Sequence, residues 1–131
     1  MTVKTVLFIC VRNSGRSQIA EAFLNSLAGD KAVAISAGTR PAERVNPTVV
    51  QAMAEVGIDI SDRKPKALTL EMVEKADRVI TMGCGADPSC PVTFVPAEDW
   101  QLEDPEGKPI ELVRDIRDDI ERRVVTLLAR L

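Results

Sequence analysis

The order of hydrophobic and polar positions predicts a strand, a tight loop and a helix at the start of the chain. Val6 to Val11 is an apolar run rich in strand-forming residues and too short to cross a membrane. A polar loop with Asn13, Ser14 and Gly15 follows it. From Ser17 the apolar residues recur at helical spacing until Gly29; the predicted buried face consists of Ile19, Ala20, Phe23, Leu24, Leu27 and Ala28.

The same periodicities predict further elements along the chain. The other predicted strands are Ala32–Ser36, Arg78–Met82 and an edge strand, Val92–Val95, which lies between two prolines. Asn46-Pro47 predicts a helix start, Gly57 its end, and the apolar positions of that helix are Val49, Val50, Met53 and Val56. A short helix is expected over Thr69–Ala76, with Leu70, Met72 and Val73 available for burial. Residues 97–109 are expected to form an acidic loop.

A long terminal helix is predicted from Ile110 to the end of the chain. Its apolar face consists of Val113, Ile116, Ile120, Val124, Leu127 and Leu131. Two ion pairs are expected on its polar side, Asp118 with Arg122 and Asp119 with Arg123, because each pair is four residues apart.

Strands that alternate with helices predict a three-layer α/β/α fold, with a central four-stranded parallel sheet and helices on both faces. The 131 residues are expected to form one domain, 1–131. In such sheets, ligands bind beyond the carboxyl ends of the strands. Cys10, Cys84 and the 97–109 loop all follow predicted strands, so they are expected to meet at one rim.

Composition excludes several classes of site. The net charge of −3 does not favour a nucleic-acid partner. No signal peptide or membrane-spanning segment is evident, so a cytoplasmic protein without a membrane partner is expected. The chain has no histidine, which excludes Cys–His nucleophilic pairs and histidine metal sites. Three cysteines are an odd number and favour buried, metal-binding or catalytic thiols over a disulfide framework.

The predicted strand–loop–helix has the form of an anion-binding site. Cys10 and Arg16 bracket a seven-residue loop whose N–H groups, with the helix N-terminus, can surround a tetrahedral anion. Arg16 adds a bidentate, permanently charged donor. The same donors favour a thiolate at Cys10, and Ser17 can donate a hydrogen bond to it. The alternative is an inert buried cysteine and an unrelated loop arginine, but the strand–helix context favours the anion site.

Two further features are compatible with chemistry at this rim. Cys84 and Cys90 share a loop with two glycines, which suits a thiol–disulfide relay. Two inert thiols, or a three-cysteine metal site with Cys10, are the alternatives; the spacing argues against the metal site. Asp104 precedes Pro105 and can act as a general acid, although a solvated acidic loop is the default interpretation.

The loop resembles the active-site loop shared by low-molecular-weight protein tyrosine phosphatases and thioredoxin-coupled arsenate reductases. The segment Cys10-Val-Arg-Asn-Ser-Gly-Arg16-Ser17-Gln18 is more similar to the reductase form. Further similarity covers nearly the whole chain, at Ser36-Ala37-Gly38, Val45-Asn46-Pro47, Gly57-Ile58-Asp59-Ile60-Ser61 and Asp104-Pro105.

The resemblance implies a complete set of roles for reducing arsenate to arsenite. Cys10 is the nucleophile, Asp104 the acid, and Cys84 and Cys90 pass the disulfide on to thioredoxin or a similar dithiol protein. The implied anion-binding residues are Val11, Arg12, Asn13, Ser14, Gly15 and Arg16, and Ser17 supports the thiolate. No bound cofactor and a monomeric chain are expected.

The resemblance also bears on the alternatives. The related phosphatases place tyrosines after the Asp-Pro pair, whereas Glu106-Gly107 follows here and the chain has no tyrosine. A phosphatase acting through a cysteinyl-phosphate is the second hypothesis, and a non-catalytic metalloid-binding module is the third. Some relatives bind potassium through residues matching Asn13, Glu21, Ser36 and a carboxylate; Lys66 aligns with that carboxylate, so no metal is expected.

Overall fold

The computed structural model describes residues 3–83 and 97–131. In chain order the elements are β1 (Lys4–Cys10), α1 (Arg16–Leu27), β2 (Ala32–Gly38), α2 (Pro47–Ala54), α3 (Leu70–Lys75), β3 (Arg78–Thr81), β4 (Glu98–Asp99) and α4 (Ile110–Arg130). None of the helices in these two ranges is both long and apolar enough to cross a bilayer.

The four strands form one parallel sheet in the order β2-β1-β3-β4. Strand β1 is central: Cys10 lies opposite Gly38 of β2, and Ile9 lies opposite Thr81 of β3. Parallel pairing therefore brings the carboxyl ends of β1, β2 and β3 to one rim. The parallel four-stranded sheet expected from the alternating pattern is confirmed.

Helices cover both faces of this sheet, because β1 is apolar on both sides. Val6, Phe8 and Cys10 belong to the larger core, which also contains the buried apolar residues of α1, α2 and α4. Leu7 and Ile9 point to the other face, where residues of α3 pack against them. The chain order and the periodicity together were enough to predict these three layers.

The structure differs from the expected acidic loop and from three of the expected core positions. Strand β4, Glu98–Asp99, pairs with β3 inside the predicted acidic loop; two exposed charged residues give no strand pattern, and tertiary pairing alone defines the strand. The predicted strand Val92–Val95 lies outside the described residues. Three expected core side chains are exposed because each lies at or beyond the end of its helix: Leu27, Val56 and Leu70.

Helix α4 follows its predicted pattern. Its expected apolar positions are buried from Val113 to Leu127, and Leu131 packs at the edge of the core. Asp119 pairs with Arg123 at 3.1 Å, as expected. Asp118, however, contacts Nε of Arg117 at 2.9 Å instead of pairing with Arg122. The Arg117 side chain is held in place by its further hydrogen bonds to the carbonyl of Ala52 and to Glu55.

Glu55 joins α2 to α4 and gives a prediction about acid stability. The Arg114 hydrogen bonds, supported by Arg117, lower the pKa of Glu55 from 4.5 to about 2. Because the folded state depresses this pKa, the stabilisation is present above pH 4.5 and is lost as the pH falls towards 2. Glu55→Gln should therefore lower Tm at pH 7, and the difference from the parent chain should shrink below pH 4.5. A difference that stays constant down to pH 2.5 would contradict this assignment.

Candidate active site

The loop between β1 and α1 turns its carbonyl groups away from its centre. Each carbonyl oxygen from Cys10 to Gly15 accepts a hydrogen bond from the surrounding protein; the donors are Thr39 N, Arg40 N, Ala42 N, Gln18 Nε2, Asn46 N and Ile19 N. In a trans peptide the N–H group points opposite to the carbonyl. The N–H groups of residues 11–16 are thereby directed inward, as an anion-binding loop requires.

Gly38, at the end of β2, packs directly against the backbone of this loop. A Cβ atom added at Gly38 would lie 2.6 Å from the carbonyl oxygen of Val11 and 2.9 Å from the backbone nitrogen of Asn13. No side chain fits at such distances. Gly38 therefore lets the loop rest directly on the neighbouring strand.

The Cys10 sulfur lies at the centre of the loop and contacts two polar groups. The backbone N–H of Asn13 donates to Sγ at 3.2 Å, and Oγ of Ser17 lies 2.8 Å from Sγ. The Asn13 amide nitrogen donates to the same Ser17 oxygen at 2.7 Å. The serine hydroxyl consequently accepts from Asn13 and is free to direct its proton at the sulfur. Two donors aimed at one sulfur stabilise a thiolate.

Gln18 and Lys66 fix the orientation of Asn13. The side-chain oxygen of Asn13 accepts from Gln18 Nε2 at 3.0 Å and from the backbone nitrogen of Lys66 at 2.8 Å, so its amide nitrogen must face Ser17. Asn13 also has φ of +52°, a left-handed conformation that asparagine tolerates better than most residues. Gln18 was missed as a site-supporting residue, because nothing in its sequence position signals that its side chain turns back into the loop.

The Ser17 contact gives a prediction that can be tested at the thiol itself. In a Cys84→Ser/Cys90→Ser background, Ser17→Ala should slow alkylation of Cys10 by iodoacetamide at pH 7 about tenfold, because a hydrogen bond to a charged group is lost. Ser17→Thr, which keeps a hydroxyl group, is the matched control and should react at nearly the parent rate. Equal rates for all three chains would show that the serine does not support the thiolate.

Arg16 begins α1 and lies buried beside the loop opening, with 6% of its surface exposed. Its Nη1 donates to the carbonyl of Leu102 at 3.4 Å, and its Nη2 lies 3.7 Å from Asp104 Oδ2. Gly83, at φ of +90°, follows β3 and lies against the guanidinium group. These contacts keep the planar donor fork at the mouth of the anion loop.

The segment 104–107 carries the expected acid to the same rim. The Asp104 side chain is about half exposed, and its Oδ1 accepts from the backbone N–H of Glu106 at 3.0 Å. A Cβ atom at Gly15 would lie 2.6 Å from Cγ of Pro105, so this segment rests directly on the loop. Asp104 is thus brought to Arg16, and its exposure allows it to exchange protons with water.

The cluster behind the loop does not fit a bound cation. Glu21, which is buried, pairs with Arg63 Nη1 at 2.5 Å and lies 3.8 Å from Lys66 Nζ. Asn13 Oδ1 already accepts two N–H groups. Among the described atoms, the buried Ser36 hydroxyl has no hydrogen-bond partner. It is therefore the one oxygen, among the residues that match potassium ligands in relatives, that is not already paired. Arginine and lysine supply the positive charge there, and no step is derived through potassium.

The structure brings together Cys10, Arg16, Ser17 and Asp104, with the loop residues from Val11 to Gly15 around them. Cys84 and Cys90 lie outside the described residues, so the expected relay is not tested. Within residues 3–83 and 97–131, no group of three acidic or cysteine side chains is arranged to hold a metal ion.

Comparison with known proteins agrees with this geometry. The profile of the family described as low molecular weight phosphotyrosine protein phosphatase matches residues 5–131. A glutaredoxin arsenate reductase of Synechocystis sp. is 41% identical, over 98% of this chain and 99% of the relative.

Two solved structures resemble the fold at different levels of identity. A Corynebacterium glutamicum thioredoxin-dependent arsenate reductase is 42% identical and has a TM-score of 0.80, covering 98% of this chain and 61% of that one. A low molecular weight protein tyrosine phosphatase from T. tengcongensis has a TM-score of 0.86 at 28% identity, covering 98% of this chain and 99% of that one.

Proposed function

Because the chain belongs to the low molecular weight phosphotyrosine protein phosphatase family, whose profile matches nearly its whole length, we propose that its anion loop binds arsenate and reduces it to arsenite. The observation that carries this proposal is the Cys10 sulfur, which receives two hydrogen-bond donors at the centre of inward-facing N–H groups. The arsenate reductases at 41% and 42% identity favour arsenate as the oxyanion.

In the first step the Cys10 thiolate attacks arsenic(V). The loop N–H groups and Arg16 bind the arsenate oxygens and stabilise the charge that develops on them. Asp104, near Arg16, donates a proton to one oxygen, which leaves as water. The product is arsenate bonded covalently to the Cys10 sulfur, with arsenic still in the +5 state.

The reduction itself requires a second thiol, for which we propose Cys84. Its thiolate attacks the Cys10 sulfur, the sulfur–arsenic bond breaks, and its electron pair stays on arsenic, which leaves as arsenite(III). A Cys10–Cys84 disulfide remains, and Cys90 then attacks Cys84 to move the disulfide to Cys84–Cys90. Gly83, the residue before Cys84, lies against Arg16, and this supports Cys84 as the thiol that attacks Cys10.

A dithiol protein must then reduce the Cys84–Cys90 disulfide. We propose thioredoxin as this donor and a monomeric, cytoplasmic enzyme without a bound cofactor. The two reductase relatives name different donors, thioredoxin in one and glutaredoxin in the other, at nearly equal identity. The donor therefore has to be tested directly.

The decisive experiment measures NADPH oxidation by the purified protein with arsenate and two alternative donor systems. One contains thioredoxin and thioredoxin reductase; the other contains glutaredoxin, glutathione and glutathione reductase. Turnover that depends on arsenate and on thioredoxin supports the full proposal. Turnover with the glutaredoxin system alone would show that glutaredoxin, and not thioredoxin, is the electron donor. Absence of arsenite in both systems would refute arsenate reduction.

The order of the relay gives its own prediction. Cys90→Ser should accumulate the Cys10–Cys84 disulfide after arsenate treatment, because the thiol that resolves it is missing. Peptide mapping by mass spectrometry identifies the bond, and Cys84→Ser is the control that should not form it. If Cys90→Ser turns over at the parent rate and no such disulfide is found, the relay uses another route.

Phosphatase activity is the second candidate, since the same loop and Asp104 suit a cysteinyl-phosphate and the tyrosine phosphatase fold is shared at 28% identity. Hydrolysis of p-nitrophenyl phosphate that is unaffected by Cys84→Ser and Cys90→Ser would favour it.

A further inference from the structure

An ion pair joins the anion loop to the segment that carries the acid. Arg12 Nη1 lies 2.8 Å from Glu106 Oε2, and both side chains are about half exposed. Arg12 lies in the middle of the loop, whereas Glu106 lies 94 residues later. Neither group contacts the Cys10 sulfur, and the steps above do not use them.

This pair is the outermost of three contacts between the two segments. Asp104 faces Arg16 at 3.7 Å, Pro105 packs on Gly15, and Glu106 reaches Arg12. The backbone N–H of Glu106 also donates to Asp104 Oδ1, so the position of Glu106 is linked to that of the acid. The three contacts together hold segment 104–107 along one side of the loop opening.

The same pair forms one end of an open cleft beside the loop. The cleft has a volume of about 390 Å³ and is lined by residues of three segments: Arg12 and Ser14, residues 42–47, and Glu106 with Gly107. Because Arg12 and Ser14 belong to the anion loop and also line this cleft, we expect an organic group attached to a bound anion to extend into it. Its walls carry charged side chains, and the aromatic residues within residues 3–83 and 97–131, which are Phe8, Phe23 and Trp100, are buried elsewhere.

We propose that the Arg12–Glu106 ion pair determines substrate specificity: it holds segment 104–107 along one side of the loop opening, so that a bare tetrahedral oxyanion is admitted and a phosphate monoester carrying an aryl group is disfavoured. An aryl group that projects out of the loop must displace the ion pair or lie against its charges. Either outcome reduces the affinity of the protein for the aryl phosphate. A bare anion contacts only the inward N–H groups and Arg16. The inference rests on the proposed function, since it explains selection of arsenate over esters at that site.

The test measures binding, so it does not depend on arsenate reduction. In a Cys10→Ser background, which prevents covalent chemistry, calorimetry gives Kd for inorganic phosphate and for phenyl phosphate. The specificity ratio is the Kd of phenyl phosphate divided by the Kd of phosphate. Arg12→Gln and Glu106→Gln remove charges of opposite sign, so a purely electrostatic effect would shift anion affinity in opposite directions. Loss of the ion pair would instead shift the ratio in the same direction in both variants.

We expect each single variant to lower the specificity ratio about two- to fivefold, the range for one exposed ion pair. The charge exchange Arg12→Glu/Glu106→Arg should restore the ratio. Glu71→Gln breaks the exposed Glu71–Lys75 ion pair, which lies outside the cleft, and should leave the ratio unchanged. Single variants that leave the ratio unchanged, that shift it in opposite directions, or that are matched by Glu71→Gln would overturn the inference. A failed reduction assay with these binding results intact would refute the arsenate reaction alone.

Discussion

Arg16→Lys should reduce kcat/KM for arsenate about a hundredfold or more, the usual cost of removing one donor that stabilises an oxyanion. Lysine keeps the positive charge but provides a point donor in place of the planar fork, and it cannot contact both Leu102 and Asp104 as the guanidinium does. The measurement is the initial rate of arsenite formation in the donor-coupled assay.

Arg44→Lys is the matched control for this change. Arg44 lines the cleft beside the loop, and the same replacement there should change kcat/KM less than twofold. Circular dichroism should show native helix content in both variants, because a long cationic side chain remains at each position. Arg16→Lys activity within threefold of the parent would show that charge alone, without the fork, is sufficient.

Gly83→Ala should weaken the anion site although it replaces none of the residues that bind the anion. Gly83 has φ of +90°, and its added Cβ atom would collide with Nη1 of Arg16. The guanidinium group must therefore move away from the loop opening. We expect a loss of kcat/KM comparable to that of Arg16→Lys, and a decrease in inorganic phosphate affinity measured by calorimetry.

Gly57→Ala is the control that separates displacement of the Arg16 guanidinium from the effect of backbone strain. Gly57 has φ of +83°, close to that of Gly83, but an added Cβ atom would contact nothing within 4 Å. Both variants should lose about 1–2 kcal/mol of stability from the left-handed conformation. Only Gly83→Ala should lose phosphate affinity. Equal phosphate affinities in the two variants would mean that the guanidinium group can relax without leaving the anion site.

The central part of the site was predictable because its signals are local. Val6–Val11 is a continuous apolar run, Cys10 and Arg16 bracket a short loop, and Ser17 opens an amphipathic helix. Period, spacing and residue type were together sufficient to predict an anion loop at the end of a buried strand. The parallel sheet followed from the alternation of strands and helices.

The missed features depend on contacts that only the folded chain creates. Gln18 acts on Asn13 only because the loop curls back over its own helix. Strand β4 exists because Glu98–Asp99 pairs with β3, and the Arg12–Glu106 pair joins residues from opposite ends of the chain. Burial at helix ends was also difficult to predict. Leu27 and Leu70 fit the helical spacing of apolar residues, but each lies at the end of its helix, where the side chain is exposed.

The central position of β1 has a consequence for how the molecule fluctuates. Its inner residues are fully buried and paired on both sides, so its amide hydrogens should exchange with solvent only through global unfolding. Segment 104–107 is attached to the loop by partly exposed ion pairs and one proline contact, so it can detach at a much lower free energy. The nucleophile is thus part of the most persistent region of the molecule, while the proton donor is carried by a segment held by fewer and more exposed contacts.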